Sequence, residues 1–134
     1  MQQIFTRRRI ISLRNLMRSR AMDSYKTGLF SEFIACVYLM LRGFRIVRRR
    51  YTTGKHTGRA EIDIIARRGN LIVFVEVKYR KTIDAAWGAI TPLQQRRLRL
   101  AAETFLIDKK WRGDARFDVI IINGLHINWI KNAI

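Results

Sequence analysis

Residues 60–80 read AEIDIIARRGNLIVFVEVKYR, and the fold turns on how this stretch is read. β-Branched and aromatic residues crowd both flanks of Gly69-Asn70, a two-residue hairpin signal, so it reads as two antiparallel strands. With Gly69 and Asn70 as the loop, Arg68 pairs with Leu71, which sets Asp63 opposite Glu76 and Glu61 opposite Lys78. Directly opposed residues share a face at about 4.5–5.5 Å. One face then carries Glu61, Asp63, Ile65, Phe74, Glu76 and Lys78. The other carries Ile62, Ile64, Ala66, Val73, Val75 and Val77, and is core.

Two carboxylates held side by side repel each other unless something offsets their charge. A divalent cation does so. Hard ions such as Mg²⁺ take oxygen ligands, commonly one or two carboxylates completed by water and substrate phosphate, and Asp63 with Glu76 suit one. Lys78 would stand beside the ion, where an ammonium can steer a water or steady charge developing on phosphate. The competing reading is a solvated hairpin face, on which Glu61 pairs with Lys78 and the other two carboxylates face water. Spacing alone leaves the two open.

An Asp, about a dozen residues, then Glu76-Val77-Lys78 on the next strand resembles the core motif of the PD-(D/E)XK nuclease superfamily. More narrowly, AEIDIIAR, FVEVKYR, the upstream Gly28-Leu29-Phe30-Ser31-Glu32, and the later Thr91-Pro92 and Arg116-Phe117-Asp118-Val119 resemble the YraN family of bacterial proteins, itself similar to archaeal Holliday junction resolvases. The resemblance runs from about Thr27 to the C-terminus. It implies an αβββαβ restriction-endonuclease-like core and a metal-dependent endonuclease that hydrolyses DNA phosphodiester bonds, branched or structured DNA among them. It also implies Mg²⁺ or Mn²⁺ held by Asp63, Glu76 and the Val77 carbonyl, Lys78 acting on the water or the transition state, and Glu32 joining the site from a helix. Resolvase-like relatives tend to pair, which makes a homodimer the implied assembly. Two positions depart from the family pattern: Ala60 stands where Gly is usual and Gln94 where Lys is usual. The second weakens phosphate contact and keeps a non-catalytic nucleic-acid-binding module as the alternative.

The length of 134 residues suits one domain with one core. Its 27 Lys and Arg against 10 Asp and Glu give a formal charge of +17, a field that draws polyanions, so DNA is the first partner to expect. A basic scaffold on anionic membranes or ribosomes would need only the charge. No segment approaches the roughly 18 uncharged apolar residues of a spanning helix, so no membrane partner is expected. The single cysteine, Cys36, cannot form an internal disulfide, which fits a reducing cytoplasm. His56 and His126 are too isolated to suggest zinc.

Residues 1–21 carry six arginines and no acid, and read as a basic extension, either an arm that touches phosphates or an unstructured tail. The domain proper is expected over 22–134, with Met22 an alternative start; without the six arginines the charge would still be +11. Phe30, Phe33, Ile34, Val37 and Leu41 recur at helical spacing from about Gly28, with Gly43 as the stop. Glu32 on that helix is the only charge between Lys26 and Arg42, placed either at a rim beside an arginine or in the metal site. Phe44–Tyr51 reads as a strand ending in Arg48, Arg49 and Arg50, and 52–59 as a loop bearing Lys55. These four, with Arg96 and Arg99, are the candidate phosphate contacts. Trp87 either stacks on a base or caps the core. Thr91 offers an N-cap and Pro92 a first helical position for a helix to about Lys109, whose stripe Gln94, Leu98, Ala101, Ala102 and Phe105 faces the sheet while Arg96 and Arg99 face solvent. A strand from Arg116 to Ile122, an Asn123-Gly124 turn and a last strand follow, with Arg116 and Asp118 expected as an ion pair. The order is helix, three strands, helix, two strands, an α/β (α+β) mixed sheet flanked by helices.

Overall fold

A computed structural model describes residues 2–54, 59–80 and 90–134, the side chains of residues 2–17 excepted. Lys55, His56 and Trp87 lie outside the described residues. Two compact units divide the chain, Met1–Phe30 and Ser31–Ile134. In the first unit the described backbone is helical from Gln2, where Arg, Leu, Met and Ala favour helix and no proline intervenes. This helix, α1, covers Gln2–Leu41.

In the second unit α1 ends in a Schellman motif. The Phe44 N–H donates to the Leu39 carbonyl at 3.1 Å and the Gly43 N–H to Met40 at 3.0 Å. Gly43 holds φ +85°, a left-handed conformation that only glycine adopts without penalty. Five strands follow in one sheet of order β1-β2-β3-β4-β5: β1 Arg45–Thr52, β2 Glu61–Arg68, β3 Leu71–Tyr79, β4 Asp114–Asn123 and β5 His126–Ile130. Helix α2, Pro92–Asp108, carries the chain from β3 to β4, and the parallel β3·β4 pair requires such a crossover. Its start is as expected: Thr91 caps it, accepting from the Gln94 N–H at 3.2 Å, and Pro92 follows. The remaining pairs are antiparallel.

The β2·β3 register is the expected one, from Arg68↔Leu71 to Ile64↔Val75. At the second hairpin the loop lies one residue later than expected. Asn123 pairs with His126, so the loop is Gly124-Leu125. Both hairpins thus put glycine first in the loop, Gly69 at φ +58° and Gly124 at φ +57°, because that position demands the left-handed region.

Both faces of the sheet are core, not one. Ile64, Ala66, Val73, Val75, Ile120 and Ile122 pack with Ala35, Cys36 and Leu39 of α1; Ile65, Ile72, Phe74 and Phe117 pack with Leu98, Ala101, Ala102 and Phe105 of α2. A parallel strand pair demands such double cover, and burying each large side chain contributes about 1.5–3 kcal/mol. Ile62 departs from strict alternation and joins the α2 cluster. The neighbouring strand β1 is irregular, with a register shift between Ile46 and Arg48 and with Arg50 at φ +50°. Tyr51, opposite Ile62, meets Phe105 of α2 with ring centroids 5.3 Å apart.

The Arg116–Asp118 ion pair is present, with Nε 2.9 Å from Oδ1. Asp118 is fully buried, and its carboxylate also accepts from Trp129 Nε1 and from the Asn132 N–H, so it ties β4, β5 and the C-terminal residues together. Among the described residues, no helix is long and apolar enough to cross a membrane.

Candidate active site

The site begins where the β2·β3 ladder ends. Beyond Ile64↔Val75 the register would pair Val77 with Ile62, but no pair forms there. Instead the Asp63 side chain intervenes: its Oδ2 accepts from the Val77 N–H at 2.8 Å. An extended residue projects its N–H and C=O to the same side, so the Val77 carbonyl is directed toward the gap that opens beside Asp63.

Glu76 lies on the neighbouring strand with its side chain only 7% exposed. Its Oε1 meets Lys78 Nζ at 3.0 Å, and its Oε2 is buried. Burial pushes the Asp63 carboxyl up to about 8, with the Glu76 charge adding to the shift, the Val77 N–H opposing it and Glu32 raising it further. Burial likewise raises Glu76, against the opposing pull of Lys78 and of a hydrogen bond with the Asp63 carboxyl. Two carboxyls so placed resist ionising together unless a cation shares the space. In metal-free protein the Asp63 carboxyl hydrogen-bonds to Glu76, and two buried carboxyls that share a proton in this way are what a hard cation would displace. Asp63 and Glu76, with the Val77 carbonyl, fit Mg²⁺ or Mn²⁺ in ligand type. Among the described residues no cluster of three or more His, Cys, Asp or Glu gathers in metal-binding geometry, so water and substrate phosphate would complete the shell.

Glu32 is buried on α1 and engaged with arginines. Arg50 Nε stands 3.0 Å from Glu32 Oε2 and Arg49 Nη2 3.8 Å from the same atom. It sits near enough to Asp63 to raise that carboxyl, but is held by the two guanidiniums. Two of the candidate phosphate contacts, Arg49 and Arg50, are thus committed to Glu32, while Arg48 is exposed on edge strand β1. Arg96 and Arg99 are exposed on α2.

A cleft of about 470 Å³ opens over the carboxylates, lined by Glu61, Asp63, Glu76, Thr91, Gln94 and Arg97, with Arg59 also on its wall. Arg97 and Arg59 escaped the sequence reading. Helical spacing could have found Arg97, since it follows Gln94 by three residues and so shares its face. Nothing local marks Arg59, whose place depends on its φ of +50° and on how β2 meets α2.

Relatives place this architecture in a family. The model of the family described as Uncharacterised protein family UPF0102 matches residues 31–122, the span that holds Glu32, Asp63, Glu76, Lys78 and Arg97. A UPF0102 protein of Bradyrhizobium diazoefficiens is 44% identical over 101 residues, covering 74% of this chain and 73% of that protein. One from Brucella canis is 41% identical over 119 residues, covering 87% and 90%. A third, from Paramagnetospirillum magneticum, is 36% identical over 99 residues, covering 72% and 77%. With most of the chain matched at these identities, the protein belongs to UPF0102, the YraN family.

Proposed function

We propose that the chain is a metal-dependent endonuclease that hydrolyses DNA phosphodiester bonds, with branched or structured DNA as its substrate form. The observation that carries this reading is the pair of buried carboxyls, Asp63 and Glu76, both raised by burial and both lining one cleft. Asp63, Glu76 and the Val77 carbonyl would hold Mg²⁺ or Mn²⁺. Such an ion, when bound, polarises the scissile phosphate and lowers the pKa of the attacking water. Lys78, held 3.0 Å from Glu76, keeps a donor beside that phosphate to orient the water or stabilise developing charge. Glu32 anchors Arg49 and Arg50 next to the site. The charge of +17 supports a polyanionic partner, and a pair of copies would cut a junction symmetrically.

Incubation with linear, flapped and four-way DNA in Mg²⁺, Mn²⁺ and EDTA tests the reading. Metal-dependent cleavage that Glu76→Gln abolishes is the expected result. The absence of cleavage of every form would favour a nucleic-acid-binding module of the same fold, which the uncharged Gln94 on the cleft wall also supports.

A further inference from the structure

The cleft beside the carboxylates has a cation for which the hydrolytic scheme gives no task. Arg97 lines it together with Asp63 and Glu76, and no Asp or Glu among the described residues pairs with it. Arg59 lines the cleft too, beside Ala60 and Glu61 at its other end, while several other arginines of the domain are committed. Arg49 and Arg50 hold Glu32, Arg116 holds Asp118, and the guanidiniums of Arg42, Arg67 and Arg68 lie over the rings of Tyr38, Trp111 and Phe44. Lys78 is taken by Glu76. Gln94, one turn before Arg97 on the same wall, brings no charge.

Arg97 is exposed, and its backbone is anchored. Its neighbour Leu98 is 2% exposed and, with Ala101 and Phe105, fixes α2 against the sheet, so the Arg97 stem starts from a helix that cannot slide. A guanidinium is a planar fork whose paired N–H groups match two phosphate oxygens. Presented on a helix, facing a cleft whose far wall suits a divalent cation, it is matched to a group that can touch both. A phosphodiester has the required oxygens. Resting on the nuclease reading, we infer that Arg97 is the residue that grips the backbone phosphate inside this cleft, so that the substrate strand passes along the first turns of α2. Arg96 and Arg99, on the exposed side of that helix, lie outside the cleft and meet only longer DNA.

A thymidine dinucleotide, which carries a single phosphodiester charge, is too short to reach the outer arginines and serves as the probe. Its binding to the full chain in Mg²⁺ is followed by NMR titration, beside the uncharged methylphosphonate analogue. Arg97→Ala should weaken dinucleotide binding on the order of tenfold, as expected for one charged hydrogen-bonding contact. Arg97→Lys should recover part of the loss, Arg96→Ala and Arg99→Ala should bind as the parent does, and the analogue should not distinguish Arg97→Ala from the parent. Unchanged amide dispersion shows that the variants are folded. Equal dinucleotide affinity in Arg97→Ala and the parent, or an equal loss in Arg96→Ala, overturns the inference. Parallel cleavage assays separate the two readings. DNA cleavage by the parent with no effect of Arg97→Ala on dinucleotide binding removes Arg97 and leaves hydrolysis. Loss of dinucleotide binding in Arg97→Ala without cleavage by the parent keeps the phosphate site and removes hydrolysis.

Discussion

Lys78 holds its ammonium 3.0 Å from Glu76 in a half-buried setting, and two roles for it give different outcomes. As one of 27 cations it would supply one phosphate contact. Beside a reacting phosphate it acts mainly in the transition state. On the proposed reading, Lys78→Ala lowers the single-turnover cleavage rate by on the order of 10² while DNA affinity stays nearly intact. Equal loss in both measurements would assign it to binding alone. Asp63 makes a second prediction at this scale. Its carboxyl is raised to about 8 in the folded chain against an ordinary 3.8, chiefly by burial. A raised carboxyl contributes stability that is fully present below the unfolded value and lost as pH rises through the folded one. Metal-free protein should therefore lose stability between about pH 4 and pH 8, and Asp63→Asn, which keeps an acceptor for the Val77 N–H, should flatten that decline. Thermal unfolding across this range in EDTA measures it, and parallel curves for the two proteins would contradict it. Added Mg²⁺, by favouring the ionised pair, should offset that decline in the parent and bring its curve closer to that of Asp63→Asn.

At the scale of an element, β1 carries backbone strain next to the site. Arg50 sits at φ +50°, where a side chain costs about 1–2 kcal/mol relative to glycine. Arg50→Ala and Arg50→Gly both remove the contact with Glu32, so their difference reports the backbone alone. Arg50→Gly should be the more stable of the pair by about 1 kcal/mol in urea denaturation. Equal stabilities would mean that the strain relaxes once the guanidinium is gone. The hairpin register, by contrast, needed no such device. Alternation and a glycine at the turn position were enough to pair Arg68 with Leu71.

For the whole molecule the dominant quantity is charge. At +17, and without a motif that reads base edges, the chain should bind duplex DNA through phosphates. If about six phosphates are neutralised, affinity falls by roughly 10³ between 50 and 200 mM salt. Removing residues 1–21 takes away six arginines and should flatten the slope in proportion to those that touch DNA. Anisotropy titrations across that salt range give the slope directly, and salt-independent binding would refute the electrostatic account.

Element order, hairpin register, the cap at Thr91 and the Arg116–Asp118 pair were legible because each rests on residues close in sequence or on a period of two or 3.6. The same local logic singled out Asp63, Glu76 and Lys78 as candidates, but the facing pairs it expected do not form: the ladder stops at Ile64↔Val75 and Lys78 meets Glu76 instead of Glu61. Tertiary structure decided the rest. A hairpin read alone offers one buried face, and only α2 folding back across the parallel β3·β4 pair buries the second. Strict alternation gave no hint that Arg50 would take a positive φ, or that Asp63 would leave the ladder and take the Val77 N–H. The pairing of Glu32 with Arg49 and Arg50, and the meeting of Arg97 with the carboxylates across one cleft, join residues far apart in the chain. Such contacts depend on how helices dock on a twisted sheet, and docking is set by the packed volume of the whole core, not by any window of sequence.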